Sequence, residues 1–240
     1  MGRAHEVRKA AMEKTAAMKT KIYSRFGKEI YIAAKNGVPD PDMIQGLKHK
    51  IEQAKANQVP SDVIKRAIEK AKGGSAESYD EVRYEGFGPN GSTFIVECLS
   101  DNVNRTFTEV RNCFNKAKFN IGVKGSVAHA YDHLGILSFK YTDDETMLET
   151  LIMAEVNVND IEVEDGVMTV YVDPTDLYKA KDAIDELLPN TEYSTLEISM
   201  LPQEYVDLSD EEYQQFERFN NLLNDVDDVQ RLFHNVNVKE

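Results

Sequence analysis

Three glycines in the middle of the chain have the spacing of a nucleotide-binding loop. Gly86, Gly88 and Gly91 satisfy G-x-G-x-x-G, which in a dinucleotide site follows a buried strand and opens a helix. Neither flank fits this pattern. The segment before Gly86 is short and half polar, and the residues after the loop, 93–99, form a β-branched apolar run that is typical of a strand rather than a helix. Residues 89–91, Pro-Asn-Gly, are a turn sequence. We therefore predict a structural hairpin and no nucleotide cofactor.

Two other residue types could bind a metal or react, but their spacing does not support it. His129 and His133 form H-x-x-x-H, a spacing that unites two ligands on a helix. Residues 127–131 are predicted to be a strand, which would separate the two imidazoles by about 13 Å. Cys98 and Cys113 form neither a C-x-x-C pair nor a disulfide framework, so we expect buried, reduced thiols.

Carboxylates are abundant, but none stands in an evident arrangement with a His, Ser or Cys nucleophile. The group Asp225, Asp227 and Asp228 is predicted to be a solvated turn rather than a metal site. The sequence therefore predicts that the protein is not an enzyme and holds neither a metal nor a cofactor.

Charge divides the chain more sharply than its net value of −14 indicates. Residues 1–74 contain 16 Lys and Arg against 8 Asp and Glu, a net charge of +8, whereas the other 166 residues contain 12 against 34, a net charge of −22. A segregated positive region can bind phosphates even in an acidic protein, and the acidic remainder then opposes indiscriminate binding. We therefore predict a nucleic-acid-binding surface on the first two helices and the residues just before them, formed by Arg3, Arg8, Lys9, Lys14, Lys19, Lys21, Arg25 and Lys28.

The first 74 residues are predicted to form a helical bundle. The first helix, from about residue 7, alternates lysine with alanine and lacks an apolar stripe, so its order is expected to depend on a partner. In the second, apolar residues from Ile22 to Ala33 leave its basic residues on or beside one exposed face. Asp40-Pro41 and Ser61 begin the third and fourth helices. Lysine and alanine suit phosphates better than base edges.

After a polar linker at residues 75–80, the pattern changes to short strands and amphipathic helices. Residues 136–201 have the order β-α-β-β-α-β, which is the ferredoxin-like pattern, with a hairpin at Asp165-Gly166. The segment before it lacks a helix and a strand, which the C-terminal residues supply after a capping box at Ser209 and Glu212. The predicted fold class is α+β multidomain: an N-terminal helical bundle (1–74) followed by two α/β ferredoxin-like domains, one (135–202) inserted in the other (81–134 plus 203–240).

Five ordered motifs resemble those of the YebC/PmpR family, and the likeness covers essentially the whole chain. They are Gly2-Arg3 and residues 84–91, 100–106, 125–127 and 227–235. The surroundings of residues 40–42 and 204–208 are most similar to the YeeN-like branch. The resemblance implies a basic helical domain followed by two α/β domains, the second split by the third. Members are described as DNA-binding transcriptional regulators; mitochondrial relatives activate translation of cytochrome c oxidase, and bacterial members have been linked to stalled ribosomes.

Two functions from different classes remain as hypotheses. One is a DNA-binding transcriptional regulator that acts through the basic helical domain, and the other is a ribosome-associated translation factor that binds ribosomal RNA. A third, an acidic scaffold that binds proteins through its α/β domains, leaves the basic region unexplained. The chain contains no run of about 18 apolar residues, and no apolar segment follows its basic start. We therefore expect a cytoplasmic protein without membrane contact, monomeric or weakly homo-oligomeric.

Overall fold

The computed structural model of the chain describes residues 19–35, 45–73 and 78–238. The described residues divide into two compact units, each built from separate stretches of chain. The first holds residues 19–35, 45–73 and 133–199, and the second holds residues 78–132 and 200–238. The predicted first helix, and the predicted start of the third at Asp40-Pro41, lie outside the described residues. The boundaries of the three-domain division remain a prediction.

An all-helical start is followed by alternating helices and strands. In chain order the elements are α1 (Lys19–Lys35), α2 (Gln45–Ala56), α3 (Ser61–Lys72), β1 (Asp80–Phe87), β2 (Thr93–Ser100), α4 (Val103–Ala117), β3 (Asn120–Ile121), β4 (Tyr131–Lys140), α5 (Asp144–Met153), β5 (Val158–Glu164), β6 (Val167–Val172), α6 (Leu177–Leu187), β7 (Tyr193–Pro202), α7 (Asp210–Asn224) and β8 (Val229–His234). Among these described helices, none is long and apolar enough to cross a membrane.

The three N-terminal helices of the first unit pack through an apolar stripe on α1, which contacts both α2 and α3. Phe26 and Ile30 are buried as predicted. Ala34 rather than Ala33 continues the stripe, because residues four apart lie in one row on a helix. Tyr31 is buried beside this row. The prediction of a bundle is therefore confirmed for the helices that the structure describes.

The remainder of the first unit is a four-stranded antiparallel sheet with the strand order β5-β6-β4-β7. Two helices cover one face, where Met147 and Leu151 of α5 and Ile184 of α6 join the core. Asp165 and Gly166 join β5 to β6 with φ values of 51° and 76°, the left-handed conformations that an Asp-Gly turn requires. Order and connections confirm the ferredoxin-like fold of this segment.

Within the first unit, α2 packs against the inserted sheet and its helices. The His49 ring stacks on Tyr178 of α6, with centroids 3.6 Å apart and planes inclined by 9°. Nε2 of Gln53 donates a hydrogen bond to the Leu196 carbonyl at 3.3 Å. Glu52 and Lys181 form an ion pair at 3.8 Å. The basic helices and the inserted segment are therefore parts of one compact unit.

The second unit is a four-stranded antiparallel sheet with the order β3-β1-β2-β8. On one face, Phe219 of α7 lies 4.9 Å from Phe94 of β2 and 4.6 Å from Phe114 of α4, measured between ring centroids. β8 pairs with β2, so that Arg231 lies opposite Glu97 although 134 residues separate them. The chain thus leaves this sheet and returns to it, which confirms the predicted α+β fold with one segment inserted in another.

Candidate nucleic-acid interface

The eight predicted nucleic-acid-binding residues fall into two groups. Lys19 begins α1, and Lys21, Arg25 and Lys28 follow on the same helix, where their side chains are half-buried. The others lie outside the described residues: Arg3, Arg8, Lys9 and Lys14. The structure places the α1 members on one helix, and the surface as a whole remains a prediction.

Arg25 is engaged inside the helical bundle. Its side chain is 13% exposed, and its Nε lies 3.6 Å from Oε1 of Glu29. Its guanidinium carbon lies 4.8 Å from the centroid of the Phe26 ring. Glu29 also accepts a hydrogen bond at 2.8 Å from Nζ of Lys50 on α2. An ion-pair network that joins α1 to α2 therefore offsets part of the Arg25 charge.

A basic face of α3, which the sequence prediction missed, adds to the positive surface. Lys35 at the end of α1 and Lys70 of α3 both lie over the Tyr31 ring, with Nζ atoms 5.7 and 5.6 Å from its centroid. The shared ring brings the cationic ends of the two helices together. The sequence feature that could have identified this face is the density of cations, because residues 65–72 contain four. In the structure all four are exposed: Lys65, Arg66, Lys70 and Lys72.

Part of this basic character has a structural explanation. Lys70 and Lys72 lie in the last turn of α3, where cations stabilise a helix by interacting with its dipole. The excess of cations over anions is nevertheless larger than two cations at the end of one helix would explain. Residues 19–35 and 45–73 contain 12 Lys and Arg against 4 Asp and Glu, so their net charge is 12 − 4 = +8. The described helices alone therefore match the net charge of the whole segment 1–74.

The glycine-rich loop is a hairpin turn, as predicted. Gly91 and Asn90 have left-handed φ values of 75° and 49°, and β2 rather than a helix follows them. Gly88 has an extended backbone, with φ at −119°, so glycine is not required there by its dihedral angle. A Cβ atom on Gly88 would lie 2.6 Å from Oγ of Ser92. The close approach of neighbouring side chains, not a positive φ, restricts this position.

Buried Glu85 of β1 binds the loop at residues 125–128. The predicted strand at residues 127–131 is wrong, because residues 128–130 form a turn and β4 begins only at Tyr131. Glu85 is 3% exposed, and its carboxylate accepts backbone hydrogen bonds from Gly125 at 2.7 Å, Val127 at 2.6 Å and Ala128 at 2.9 Å. Amides bound to a carboxylate cannot pair in a sheet, so residues 128–130 form a turn. Burial acts to raise the pKa of Glu85, but the three donors outweigh it and hold the pKa below its usual value.

The predicted solvated turn near the C-terminus is confirmed for Asp225 and Asp227, which are exposed, but is wrong for Asp228, which is buried. Oδ2 of Asp228 accepts hydrogen bonds from Oγ1 of Thr106 at 2.6 Å and from Nη2 of Arg105 at 2.7 Å, and Ser100 donates from 3.4 Å. The hydrogen bond from Arg105 to Asp228, and after it the one to Asp101, raises the pKa of Arg105. Asp228 is 5% exposed. The motifs at residues 100–106 and 227–235 therefore meet, and they join α4 to the strand that closes the sheet.

The structure gives no support for a metal site within its described residues. There, no group of three or more His, Cys, Asp and Glu side chains could hold a metal ion. His129 lies in the turn Ala128–Ala130 and His133 in β4. Cys98 and Cys113 are buried free thiols, as predicted.

Comparison with known proteins connects this arrangement to one family. Residues 3–74 match the domain described as the TACO1/YebC protein N-terminal domain, and residues 79–236 match the TACO1/YebC second and third domain. A crystal structure titled as that of a conserved hypothetical protein, Aq1575 from Aquifex aeolicus, is similar with a TM-score of 0.75 and 31% identity, covering 94% of this chain and 93% of that one.

Curated relatives cover nearly the full length of the chain. A protein of Vibrio campbellii is 52% identical over 98% of this chain and 99% of its own. One from Alteromonas mediterranea is 51% identical over 98% of each chain, and one from Pseudoalteromonas translucida is 50% identical over the whole of both. All three carry the name "Probable transcriptional regulatory protein".

Proposed function

The chain belongs to the TACO1/YebC family, and we propose from this membership that it is a transcriptional regulator that binds DNA through its basic helices. The observation that carries the proposal is the segregation of charge. The described helices of the basic region hold 12 cations against 4 anions, within a chain whose net charge is −14. Phosphates are attracted to such a surface and repelled elsewhere, which orients the protein on a nucleic acid.

The contacts that we propose are made mainly to phosphates. They involve Lys19, Lys21 and Lys28 on α1, with Arg25 paired with Glu29, and four cations that precede α1 in the sequence: Arg3, Arg8, Lys9 and Lys14. The exposed cations of α3, Lys65, Arg66, Lys70 and Lys72, extend this surface. Lysines contact phosphates without reading the sequence, so this surface sets affinity and position. Any sequence preference would come from DNA shape or from other residues.

The second candidate is a ribosome-associated translation factor that binds ribosomal RNA. The observation that favours it is the composition of α3, whose exposed side chains are Lys, Arg, Ser, Asp and Glu. The helix contains no Asn or Gln, the side chains that read adenine in the major groove. Helical RNA is recognised mostly through its shape and backbone, which needs little base reading.

Fluorescence anisotropy against salt tests the basic surface. For about five phosphate contacts, the slope of log K against log salt is roughly −4.5 on duplex DNA and about −3.5 on single strands. The triple reversal Lys65→Glu, Arg66→Glu and Lys70→Glu should weaken binding to a 20-bp duplex by at least about tenfold and make the slope shallower. The matched control is Arg111→Glu, Lys116→Glu and Lys118→Glu, which changes the charge equally on and just after α4.

A second triple, Lys21→Glu, Arg25→Glu and Lys28→Glu, tests the α1 surface in the same assay. If both reversed proteins bind duplex DNA and RNA stem-loops as the unchanged protein does, the basic helices are not the binding surface. Sedimentation in a sucrose gradient separates the two candidates. Co-migration with ribosomal subunits supports the translation factor, and its absence together with tight duplex binding supports the transcriptional regulator.

A further inference from the structure

An apolar strip lies exposed on the inserted segment, far in sequence from the basic helices. Among the described residues, eight large hydrophobic side chains are exposed, and four of them lie on α5 and β5. They are Leu148 at 41%, Ile152 at 59%, Met153 at 86% and Val163 at 40%. Single exposed apolar residues are normal on a protein surface, whereas a cluster indicates an interaction site.

The four side chains lie on two elements that contact each other, the helix α5 and the strand β5. Leu148 and Ile152 lie one helical turn apart on α5, while their neighbours Met147 and Leu151 point into the core. α5 contacts β5, which is an edge strand of its sheet. Val163 lies opposite Met168, a core residue on the face that α5 covers. The strip therefore runs along the outer side of α5 to the free edge of the sheet.

The segment that carries this strip is strongly acidic, although Glu162 and Glu164, which alternate with Val163 along β5, lie on the other face of the sheet. Residues 142–166 contain nine Asp and Glu and no Lys, Arg or His: Asp143, Asp144, Glu145, Glu149, Glu155, Asp160, Glu162, Glu164 and Asp165. Lys179, from α6, reaches this segment by donating to the Glu155 carbonyl at 2.5 Å. An apolar strip with a rim of one charge sign selects a partner that is apolar at its centre and of opposite sign around it.

We propose that the α5–β5 strip docks a basic amphipathic helix of a partner protein. The apolar stripe of that helix would cover Leu148, Ile152 and Met153, and its lysines or arginines would face the carboxylates. A nucleic acid or an anionic membrane does not fit, because both present negative charge to a rim that is itself negative. A second copy of the chain fits poorly as well, since a two-fold contact would bring two acidic rims together.

A synthetic peptide tests the proposal directly. The probe is an 18-residue, fluorescein-labelled peptide of Leu and Lys with its leucines at i, i+3, i+4 and i+7, titrated with the full-length chain. The double variant Ile152→Ser and Met153→Ser should bind it about tenfold more weakly, because each exposed side chain loses its apolar contact. The control is Val123→Ser, since Val123 is 77% exposed on the other unit; it should bind as the unchanged protein does.

The rim is tested by Glu145→Gln with Glu149→Gln, which should slow association and reduce the dependence of affinity on salt. A peptide of the same composition without an apolar stripe should bind at least about tenfold more weakly. Equal binding of both peptides, or equal loss in the Val123→Ser control, overturns the proposal. So does a concentration-dependent dimer in sedimentation equilibrium that the Ile152→Ser and Met153→Ser changes abolish, because the strip would then be an interface between copies of this chain.

Discussion

Nη2 of Arg105 lies 2.7 Å from Oδ2 of Asp228, although 123 residues separate the two in the chain. The same guanidinium nitrogen lies 2.6 Å from Oδ1 of Asp101, one helical turn away. Arg105 is half exposed, whereas Asp228 is buried and receives a second hydrogen bond from Thr106. The ion pair therefore links the first turn of α4 to the residue just before β8, the strand that the C-terminal part of the chain adds to the sheet.

Replacing Asp228 should destabilise the second unit. Asp228→Ala leaves the Thr106 and Ser100 hydroxyls without their shared buried acceptor, and we expect a loss of about 2–3 kcal/mol in the free energy of unfolding. Urea denaturation measures it. Asp225→Ala serves as the control, because Asp225 is exposed at the C-terminal end of α7. An equal effect of the two substitutions would show that the buried network contributes little.

Glu85 should make the protein less stable in acid. The pKa of Glu85 is lower in the folded protein than in the unfolded chain, so the unfolded state takes up its proton first as the pH falls. The stabilisation is complete above the unfolded pKa, about 4.3, and is lost as the pH falls through the folded pKa. Glu85→Gln should lower stability at pH 7 by about 1–3 kcal/mol and flatten its acid dependence. Exposed Glu81→Gln is the control, and identical pH profiles for Glu85→Gln and the unchanged protein would contradict the assignment.

Gly86 and Gly46 should respond in opposite directions to the same substitution. A Cβ on Gly86 would lie 2.7 Å from the Asn120 carbonyl oxygen and would also collide with the Phe114 ring, whereas a Cβ on Gly46 meets nothing within 4 Å. Gly86→Ala should cost about 1–3 kcal/mol through overpacking. Gly46→Ala in α2 should be neutral or stabilise by up to about 1 kcal/mol through helix propensity. Thermal unfolding of both variants checks this; an undiminished melting temperature in Gly86→Ala would show that the hairpin can adapt.

His49 should make the first unit less stable below about pH 6.5. Burial against Tyr178 lowers the pKa of His49; Glu52 and Asp182 act to raise it, and Lys181 and Lys48 act to lower it. Because the folded pKa lies below the unfolded one, the unfolded state binds the proton more tightly, and stability falls as the pH drops through this range. His49→Phe keeps an aromatic ring but cannot titrate, so its stability should change less between pH 7 and pH 5. If the stability of both proteins falls equally between pH 7 and pH 5, groups other than His49 cause the pH dependence.

Short-range signals predicted much of this fold. The capping box at Ser209 and Glu212 forms as expected, with the Ser209 N–H donating to Oε2 of Glu212 at 2.9 Å. The Asp165-Gly166 turn and the inserted β-α-β-β-α-β order are equally local, because each depends on residues close in sequence.

The features that the sequence did not predict depend on contacts between distant residues. Glu85 meets a loop 40 residues away, and Asp228 meets Thr106 over a separation of 122. Charged residues are usually exposed, so sequence alone favours a solvated Asp228. The stacking of His49 on Tyr178 likewise joins elements far apart in the chain. For the candidate interface, the charge division was visible in sequence, but the ion pair of Arg25 and the exposure of the α3 cations required the structure.

The position of β8 sets an order of events during synthesis. β8 pairs with β2, so the edge of β2 stays open until residues 229–234 have left the ribosome, while β4 to β7 of the inserted sheet lie within residues 131–202. The inserted segment can thus fold while the sheet of the second unit still lacks β8. During that interval Val96 and Phe94 lack a β8 partner on an open edge that favours aggregation. A premature stop before residue 229 would make this exposed edge permanent.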